Sequence, residues 1–247
     1  MAPTLRSSQA KMPPTLILIR HAEAEHNATE NWDLPDPRLT EAGIQQCEDL
    51  QRHLQSSCPL AQRVETIITS PMRRTCQTTL TALAWLVKSG IPVEVNAMWQ
   101  ENSTEPCDSG TAIPKVAKEF PELDFSTVDP TYPNKGPGTP YAFAESANAA
   151  RGQACLRSLY GRPEKVIAVV SHAGFLRTAI TKRRYANADY RIFTFKKSNG
   201  GALELVEDLS TMRKGGGLGR SPKGIFKVKE WDFPPEEAEA GEERDEM

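Results

Sequence analysis

Three apolar stretches, each followed at once by polar residues, constrain this sequence more than any other feature. Residues 15–19 read Thr-Leu-Ile-Leu-Ile, and comparable stretches occupy 64–69 and 166–170. A continuous apolar run of this length is typical of a strand that is buried on both faces of a parallel sheet. Helical patterns lie between the stretches, so the sequence predicts an α/β fold with a mostly parallel central sheet.

The polar residues at the ends of these strands are the first candidates for a functional site. Arg20-His21 follows the first stretch, Ser70 to Arg74 follows the second, and Ser171-His172 follows the third. In open α/β sheets, ligands bind beyond the carboxyl ends of the strands. We therefore expect these residues, which lie far apart in the sequence, to meet at one edge of the sheet.

The rest of the chain predicts further elements and a division into parts. The elements are a loop at 27–38, a helix capped by Thr40 and running to about residue 54, a helix from Ser70-Pro71 to about Lys88, a strand at 91–95, a short helix near 112–119, a helix at 141–160, a helix after 171–174 and a last strand at 202–206. We expect a flexible leader at 1–14, a single domain at 15–233 and an acidic disordered tail at 234–247. Residues 99–140 are irregular and rich in Pro, Gly, Asp and Ser; such a stretch inside a compact domain is usually functional, and we expect it to be a cap or an insertion in the domain.

Composition and charge argue against several classes of function. The formal net charge is −2, which gives no overall attraction to nucleic acid or to an acidic membrane. No apolar run approaches the roughly 18 residues that a membrane span needs. The five cysteines are scattered and form no CxxC pair, so we expect neither a disulfide framework nor a zinc site. We expect a cytoplasmic or nuclear protein without nucleic-acid or membrane partners, in which a homodimer is possible.

Histidines and arginines dominate the predicted strand ends. Of the four histidines, His21 and His172 follow strands, where a histidine can act as a nucleophile, a base or a metal ligand. No third histidine and no carboxylate lies at ligand spacing beside either of them, which disfavours a metal site. Arginines accompany them instead, and a guanidinium group binds phosphate through paired hydrogen bonds. The pattern predicts a site for a phosphate-like anion that needs no metal or other cofactor. Of the other two histidines, His26 could contact the substrate, and we expect His53 at the surface.

Four motifs resemble those of one enzyme family. Arg20-His21-Ala22-Glu23 resembles the Arg-His-Gly-Glu signature of the histidine phosphatase superfamily, whose fold is phosphoglycerate-mutase-like. Residues 70–78 are similar to its Ser-Pro-x-x-Arg-x-x-Gln-Thr block, and 171–174 resemble its second histidine motif. Leu39-Thr40-x-x-Gly43 fits the helix start between the first two. The motifs occur in the family's order and spacing.

The resemblance implies a fold and a set of roles. The fold would have three layers, α/β/α. His21 would be the nucleophile, and Arg20, Arg74 and His172 would bind the phosphoryl oxygens, with His172 also counted as catalytic. We place Asn27 among the phosphate-binding residues as well. The family's arginine falls four residues after the serine of its block, which selects Arg74 and leaves Arg73 as surface or auxiliary.

Two positions depart from the family's pattern or leave it open. Ala22 replaces a glycine, which is tolerable if the backbone there has a negative φ. The general acid should come from the segment after the third strand, and we place it at Glu101, with Glu105 and Asp108 as alternatives.

The resemblance implies a metal-independent phosphohydrolase that acts on a small phosphomonoester through a phosphohistidine. A phosphoglycerate-type phosphomutase and a non-catalytic phospho-ligand-binding protein are the alternatives. Some aromatic residues could line an apolar subsite, although packing in the core is the stronger expectation for most of them; they are Trp99, Phe120, Phe125, Tyr132, Tyr141 and Phe143.

Overall fold

A six-stranded sheet forms the centre of the protein. The structure is a computed structural model that describes residues 12–196 and 201–235. The strands are β1 (Thr15–Arg20), β2 (Thr66–Thr69), β3 (Val93–Val95), β4 (Val166–Ser171), β5 (Tyr190–Phe195) and β6 (Leu205–Glu207), in the order β3-β2-β4-β1-β5-β6. The pairs β3-β2, β2-β4 and β4-β1 are parallel. β5 is antiparallel to β1, and β6 is antiparallel to β5. The prediction of a mostly parallel sheet is confirmed.

Helices cover both faces of the sheet. They are α1 (Glu25–Thr29), α2 (Glu41–Ser57), α3 (Arg73–Ala82), α4 (Ala84–Lys88), α5 (Ile113–Glu119), α6 (Glu145–Tyr160), α7 (Ala173–Phe175), its π-helical continuation Leu176–Thr181, and α8 (Leu209–Met212). Short 3₁₀ turns lie at Ala61–Arg63, Ala97–Trp99, Pro106–Asp108 and Glu230–Asp232. Within the described residues, none of these helices has the length and apolar character needed to cross a membrane.

Side chains of β1 alternate between two separate hydrophobic clusters. Ile17 points into one cluster, where it joins Leu50 of α2. Leu18 points the opposite way, into a cluster with Leu156 of α6. Successive side chains of a strand face opposite sides, so a strand that is apolar at every position must be covered on both. The three-layer α/β/α arrangement is thus confirmed.

Two predicted helices have different bounds in the structure. The helix predicted from Ser70 begins at Arg73, because the Ser70 hydroxyl lies 2.8 Å from Nε2 of His172 and does not cap the helix. It is also broken at Leu83, whose φ of −109° and ψ of 14° are not helical, so that α3 and α4 are separate. The helix predicted from Tyr141 begins at Glu145.

The sequence does not predict β5, and the reason is a charged residue near the start of the strand. Arg191 interrupts the apolar pattern of this strand, although its side chain is fully buried. Its Nη1 donates to Oε1 of Glu207 on β6, at 2.6 Å. A buried charge needs such a partner, and the partner is provided only when the two strands pair. Two smaller differences concern α1 and β6. The helix α1 occupies the start of the predicted loop at 27–38, and β6 begins at Leu205, whereas the predicted strand begins at 202.

Residues 99–140 pack as an irregular layer against α3, with α5 as their only α-helix in the described chain. Most of their aromatic side chains lie in a third hydrophobic cluster, which contains Phe120, Phe125, Tyr132 and Tyr141. Trp99 belongs to the cluster under α6, and the Phe143 ring contacts Phe233. Packing, the stronger of the two expectations for these aromatic residues, is therefore what the structure shows. The predicted leader and acidic tail lie largely outside the described residues.

Candidate active site

Backbone pairing brings three strand ends together. The His21 N–H donates to the Ser171 carbonyl at 3.0 Å, and the Ser70 N–H donates to the Val170 carbonyl at 3.1 Å. The parallel register therefore places the residues after β1, β2 and β4 side by side. The ring centroids of His21 and His172 are 5.2 Å apart. The meeting of strand ends that the sequence predicts is present in the structure.

His21 is held in one tautomer. Its Nδ1 lies 2.7 Å from the Ala22 carbonyl oxygen, which can only accept a hydrogen bond, so Nδ1 carries the proton. Nε2 is then left with its lone pair. Burial lowers the pKa of His21 well below its ordinary value, and the positive charges of Arg74 and Arg20 lower it further. The imidazole is therefore neutral near pH 7, which is the form that a nucleophile requires.

The alanine in place of the signature glycine is accommodated without strain. Ala22 is fully buried, and its φ lies outside the left-handed region that favours glycine. Its N–H donates to the hydroxyl of Thr78 on α3, at 3.0 Å.

Arg74 connects the nucleophile to the segment that carries the acid candidates. Its side chain is buried, and its three nitrogen atoms donate to three different groups. Nε donates to Nε2 of His21 at 3.2 Å, and Nη1 donates to the Cys107 carbonyl at 2.6 Å. Nη2 forms an ion pair with Asp108, with a distance of 2.9 Å to Oδ1. A single guanidinium group thus fixes the position of His21 relative to residues 107–108.

His172 and Arg20 offer donors that the protein itself does not use. His172 is fully buried, with Nε2 next to the Ser70 hydroxyl, and burial, Arg74 and His21 lower its pKa well below the ordinary value. Arg20 donates from Nη1 to the Tyr185 carbonyl at 2.9 Å, and burial lowers its pKa to about 10. In the described part of the chain, Nδ1 of His172 and Nε of Arg20 are buried without a hydrogen-bond partner. The Arg20 Nε–H can donate to an oxyanion in the space next to His21, and so can Nδ1 of His172 in the tautomer whose Nε2 accepts from the Ser70 hydroxyl.

Arg73 and Asn27 have other partners. Arg73 forms an ion pair with Glu119 of α5, with Nη2 at 2.6 Å from Oε1, so it joins α3 to residues 99–140. Oδ1 of Asn27 accepts from the N–H of Ala24 and from Nδ2 of Asn187, at 3.1 and 3.2 Å. Asn187 also donates to the His21 carbonyl, so Asn27 borders the site and is bonded within the protein.

Glu101 lies at the N-terminus of α7, directly after the second histidine. Its Oε2 accepts from the Gly174 N–H at 2.9 Å, and its Oε1 accepts from the Phe175 N–H at 2.7 Å. A Cβ on Gly174 would lie 2.5 Å from Oδ1 of Asn102 and 2.6 Å from Oε1 of Glu101, so a larger residue would require these two side chains to shift. Helix N-termini favour carboxylates. The glycine of the Ser-His-Ala-Gly motif thus lets the Glu101 carboxylate lie close to this backbone.

The two alternative acids differ sharply in their placement. Asp108 binds Arg74 through Oδ1 and accepts from the Ser103 hydroxyl at Oδ2, at 2.6 Å. Glu105 is exposed on the turn between them. Glu101 and Asp108 both act electrostatically on Arg20, whose pKa they raise against the effect of burial. The structure thus brings Glu101 and Asp108 to the site and leaves Glu105 outside it.

His26 also lies beside the site, with its ring centroid 6.1 Å from that of His21. Burial and the charge of Arg74 lower its pKa to about 4. Ligand atoms of His26, Cys107 and Asp108 lie within 4.8 Å of one another and are the one group in the described residues that could hold a metal ion. The Arg74 guanidinium already neutralises Asp108 there, and a second cation would face its positive charge.

Three contributions to the site are not predicted from the sequence, although Ser70 and Asp108 are themselves among the candidate residues. Ser70 orients His172, Asp108 anchors Arg74, and Lys135 binds the backbone around the acid candidates. The serine lies in a recognisable motif. No local sequence pattern indicates that Asp108 pairs with Arg74 or that Lys135 lies beside Glu101 and Asp108. Both contacts depend on the tertiary folding of residues 99–140. His53, expected at the surface, is half-buried and lies 3.1 Å from the Tyr190 hydroxyl, outside this group.

Comparisons with known proteins agree with the geometry. Residues 16–201 match the family model of the histidine phosphatase superfamily, branch 1. A phosphoglycerate mutase-like protein of Arabidopsis thaliana is 30% identical over 196 residues, covering 66% of this chain and 72% of the relative. Phosphoglycerate mutase-like protein 2 of the same plant is 27% identical over 222 residues, covering 66% and 64%.

Solved structures share the fold at lower identity. A putative alpha-ribazole-5'-P phosphatase from Escherichia coli aligns with a TM-score of 0.52 and 18% identity, over 78% of this chain and 96% of its own. A variant of the phosphoserine phosphatase from Entamoeba histolytica aligns with a TM-score of 0.50 and 19% identity, over 80% and 98%. Because the family match spans most of the sequence, the chain belongs to branch 1 of the histidine phosphatase superfamily.

Proposed function

We propose that this protein is a metal-independent phosphohydrolase that transfers the phosphoryl group of a phosphomonoester to His21 and then to water. The observation that carries the proposal is a buried, neutral His21, fixed through Nδ1 with Nε2 unprotonated, next to unpartnered donors of Arg20 and His172. A neutral nucleophile surrounded by positive charge suits attack on a phosphate dianion.

In the first step, the lone pair of His21 Nε2 attacks phosphorus, and the bond from phosphorus to the ester oxygen breaks. Arg20, Arg74 and His172 stabilise the charge on the equatorial oxygens. Glu101, in its protonated form, gives its proton to the leaving oxygen, which departs as an alcohol. These arginines supply the positive charge that a metal ion supplies in other phosphoryl-transfer enzymes.

In the second step, the Glu101 carboxylate takes a proton from water, and the water oxygen attacks phosphorus. The bond between phosphorus and Nε2 breaks, its electrons return to the imidazole, and inorganic phosphate leaves. Splitting one displacement into two is the advantage of covalent catalysis. The same carboxyl group acts as acid and then as base, so the enzyme returns to its starting state.

Phosphate labelling tests the proposal directly. Wild-type protein mixed with a phosphate-labelled ester should acquire label that is stable in alkali and lost in acid, as for phosphohistidine. His21→Ala should acquire none and should turn over no substrate. His53→Ala is the matched control, because His53 lies outside the site and should label normally. Equal labelling of the His21→Ala and wild-type proteins would remove His21 as the nucleophile.

A phosphomutase is the second candidate, because the Arabidopsis relatives have names that include phosphoglycerate mutase. It requires that the phosphohistidine pass its phosphoryl group to a second substrate oxygen. Phosphate release from 3-phosphoglycerate can be compared with its isomerisation in one assay. Release without isomerisation is expected for a phosphohydrolase, and isomerisation as the main reaction would replace the proposal.

The choice of general acid can be tested with two substrates. An alkyl phosphate has a poor leaving group that needs a proton, whereas nitrophenolate leaves readily without one. If Glu101 is the acid, Glu101→Gln should slow phosphorylation of His21 by an alkyl phosphate about 10²–10⁴-fold, with a much smaller loss for p-nitrophenyl phosphate. Asp108→Asn should impair both substrates alike, because Asp108 holds Arg74. The reverse pattern would assign the proton transfer to Asp108.

A further inference from the structure

Lys135 is buried in the cap segment in an unusual setting. Its side chain is 8% exposed, although lysine is among the residues that are most rarely buried. Nζ donates to three backbone carbonyl oxygens, those of Glu101 at 2.7 Å, Ser103 at 2.6 Å and Asp108 at 2.6 Å. An ammonium group has three N–H donors, so the three carbonyls use all of them.

These carbonyls belong to the segment that holds both acid candidates. Residues 101–108 contain one 3₁₀ turn, at Pro106–Asp108, and the residues before it have no regular structure. Lys135 joins the beginning of this segment to its end, from Glu101 to Asp108. A long lysine side chain loses considerable conformational entropy when it is fixed in this way, so the contact favours one shape of the segment at a cost.

The charges around Lys135 belong to the same site. The pKa of Lys135 is lowered to about 7, mainly by burial; the carboxylates of Asp108 and Glu101 oppose this shift, and the charges of Arg151 and Arg74 add to it. Its hydrogen-bond acceptors are neutral carbonyls, and it forms no ion pair with either carboxylate. Lys135 therefore holds the backbone of the segment, while the carboxylates of Glu101 and Asp108 are bound by α7 and by Arg74 respectively.

We propose that Lys135 is a positioning residue for phosphoryl transfer, because its clamp on the carbonyls of residues 101, 103 and 108 holds the Glu101 carboxyl group in place for proton transfer. The inference rests on the proposed function and on Glu101 as the acid. Lys135 has no hydrogen bond to His21. Its positive charge contributes to lowering the pKa of His172, and its effect on proton transfer runs through the segment that it binds.

A double-mutant cycle tests the inference in the full-length protein. The measured quantity is the single-turnover rate of His21 phosphorylation, with an alkyl phosphate and with p-nitrophenyl phosphate. Lys135→Met keeps the length of the side chain and removes all three donors. This substitution should slow the reaction of the alkyl phosphate at least about 10-fold more than that of the nitrophenyl ester, because only the leaving group of the alkyl phosphate needs a proton. The exposed Lys118 of α5 gives a matched control, and Lys118→Met should leave both rates unchanged.

Combination with Glu101→Gln separates positioning from general stability. If Lys135 acts through Glu101, Lys135→Met should slow the alkyl phosphate reaction by less than about 3-fold in the Glu101→Gln background, since coupled residues are not additive. Equal slowing of both substrates, full additivity with Glu101→Gln, or no slowing at all would each overturn the inference. Lys135→Gln keeps two donors and is used if the methionine variant does not fold, with the same pattern expected at smaller size.

Failure of the inference is distinguishable from failure of the proposed function. A wild-type protein that forms phosphohistidine but shows additivity between positions 135 and 101 overturns the role of Lys135 alone. A wild-type protein that forms no phosphohistidine with any ester overturns both.

Discussion

The buried neutral histidines should make the folded state sensitive to mild acid. Burial and neighbouring positive charge lower the pKa values of His21 and His172 well below the ordinary 6.5, and lower that of His26 to about 4. As the pH falls below 6.5, the unfolded chain takes up protons on these residues and the folded chain does not. Their contribution to stability is therefore complete above pH 6.5 and is lost progressively below it.

The magnitude follows from the pKa values. A histidine with pKa 6.5 in the unfolded chain that stays neutral in the folded protein lowers the free energy of unfolding by about 1.4 kcal/mol between pH 7.5 and pH 5.5. His21 and His172 together contribute about 2.7 kcal/mol, and His26 raises the loss to about 4 kcal/mol. That loss is a large part of the roughly 5–15 kcal/mol by which a typical domain is stable. With a urea dependence of about 2–3 kcal/mol per molar, the midpoint should fall by about 1–2 M.

Urea unfolding at the two pH values tests this calculation. His21→Gln and His172→Gln should each reduce the loss between pH 7.5 and 5.5 by about 1.4 kcal/mol, whatever their effect on stability at neutral pH. His53→Gln should reduce it less, because His53 is only half-buried. A His21→Gln protein with the same pH dependence as the wild type would show that His21 is protonated in the folded state at an ordinary pKa, and the argument for a neutral nucleophile would fail.

Three further predictions concern the phosphate ligands, the metal and the packing of a glycine. Arg74→Lys should lower kcat/KM about 10²–10⁴-fold, because lysine loses at least two of the three hydrogen bonds of the guanidinium group, each worth about 1.5–3 kcal/mol. Arg73→Lys, the control, should have a much smaller effect. A near-normal kcat/KM for Arg74→Lys would contradict a direct role of Arg74. Activity should survive exhaustive chelation and be inhibited by vanadate, which mimics the phosphoryl transition state, and loss of activity that a divalent metal restores would refute the metal-independent reaction. Gly43→Ala should lower the free energy of unfolding by about 1–3 kcal/mol, measured by thermal unfolding, because its Cβ would lie 2.0 Å from the Glu23 carbonyl oxygen. Gly161→Ala is the control, since no atom lies within 4 Å of its new Cβ. Equal melting temperatures for the two variants would show that the backbone at Gly43 relaxes.

Several features of this protein follow from its sequence alone. The apolar stretches at 15–19 and 166–170 predict parallel strands, because a strand covered on both faces needs no polar alternation. Once these strands are parallel neighbours, the residues that follow them must lie together. The sequence therefore predicts that His21 and His172 lie at the same edge of the sheet, the pairing of β1 with β4 brings them together, and the resemblance of residues 70–78 to the family's block selects Arg74.

Other features needed the tertiary structure. Arg191, the second residue of β5, is an obstacle to predicting a buried strand until Glu207 of β6 is brought beside it. Among the acid candidates, sequence spacing does not separate Glu101 from Glu105. Their difference arises when the N-terminus of α7 meets Glu101 and leaves the other residue exposed.

The clamp of Lys135 is the clearest example of a feature that only the tertiary structure decides. Its three acceptors are backbone carbonyls, which every residue has, so no residue type in the sequence marks them. The strands are recognisable from apolar stretches of a few residues. The irregular segment between 99 and 140 has no such pattern. Its shape is set by buried contacts between residues about 30 positions apart, and the free energy of these contacts must exceed the entropic cost of closing a loop. The sequence by itself therefore indicated the parallel strands and the edge where His21 and His172 meet, and the fold of residues 99–140 decided how Glu101 and Asp108 are held there.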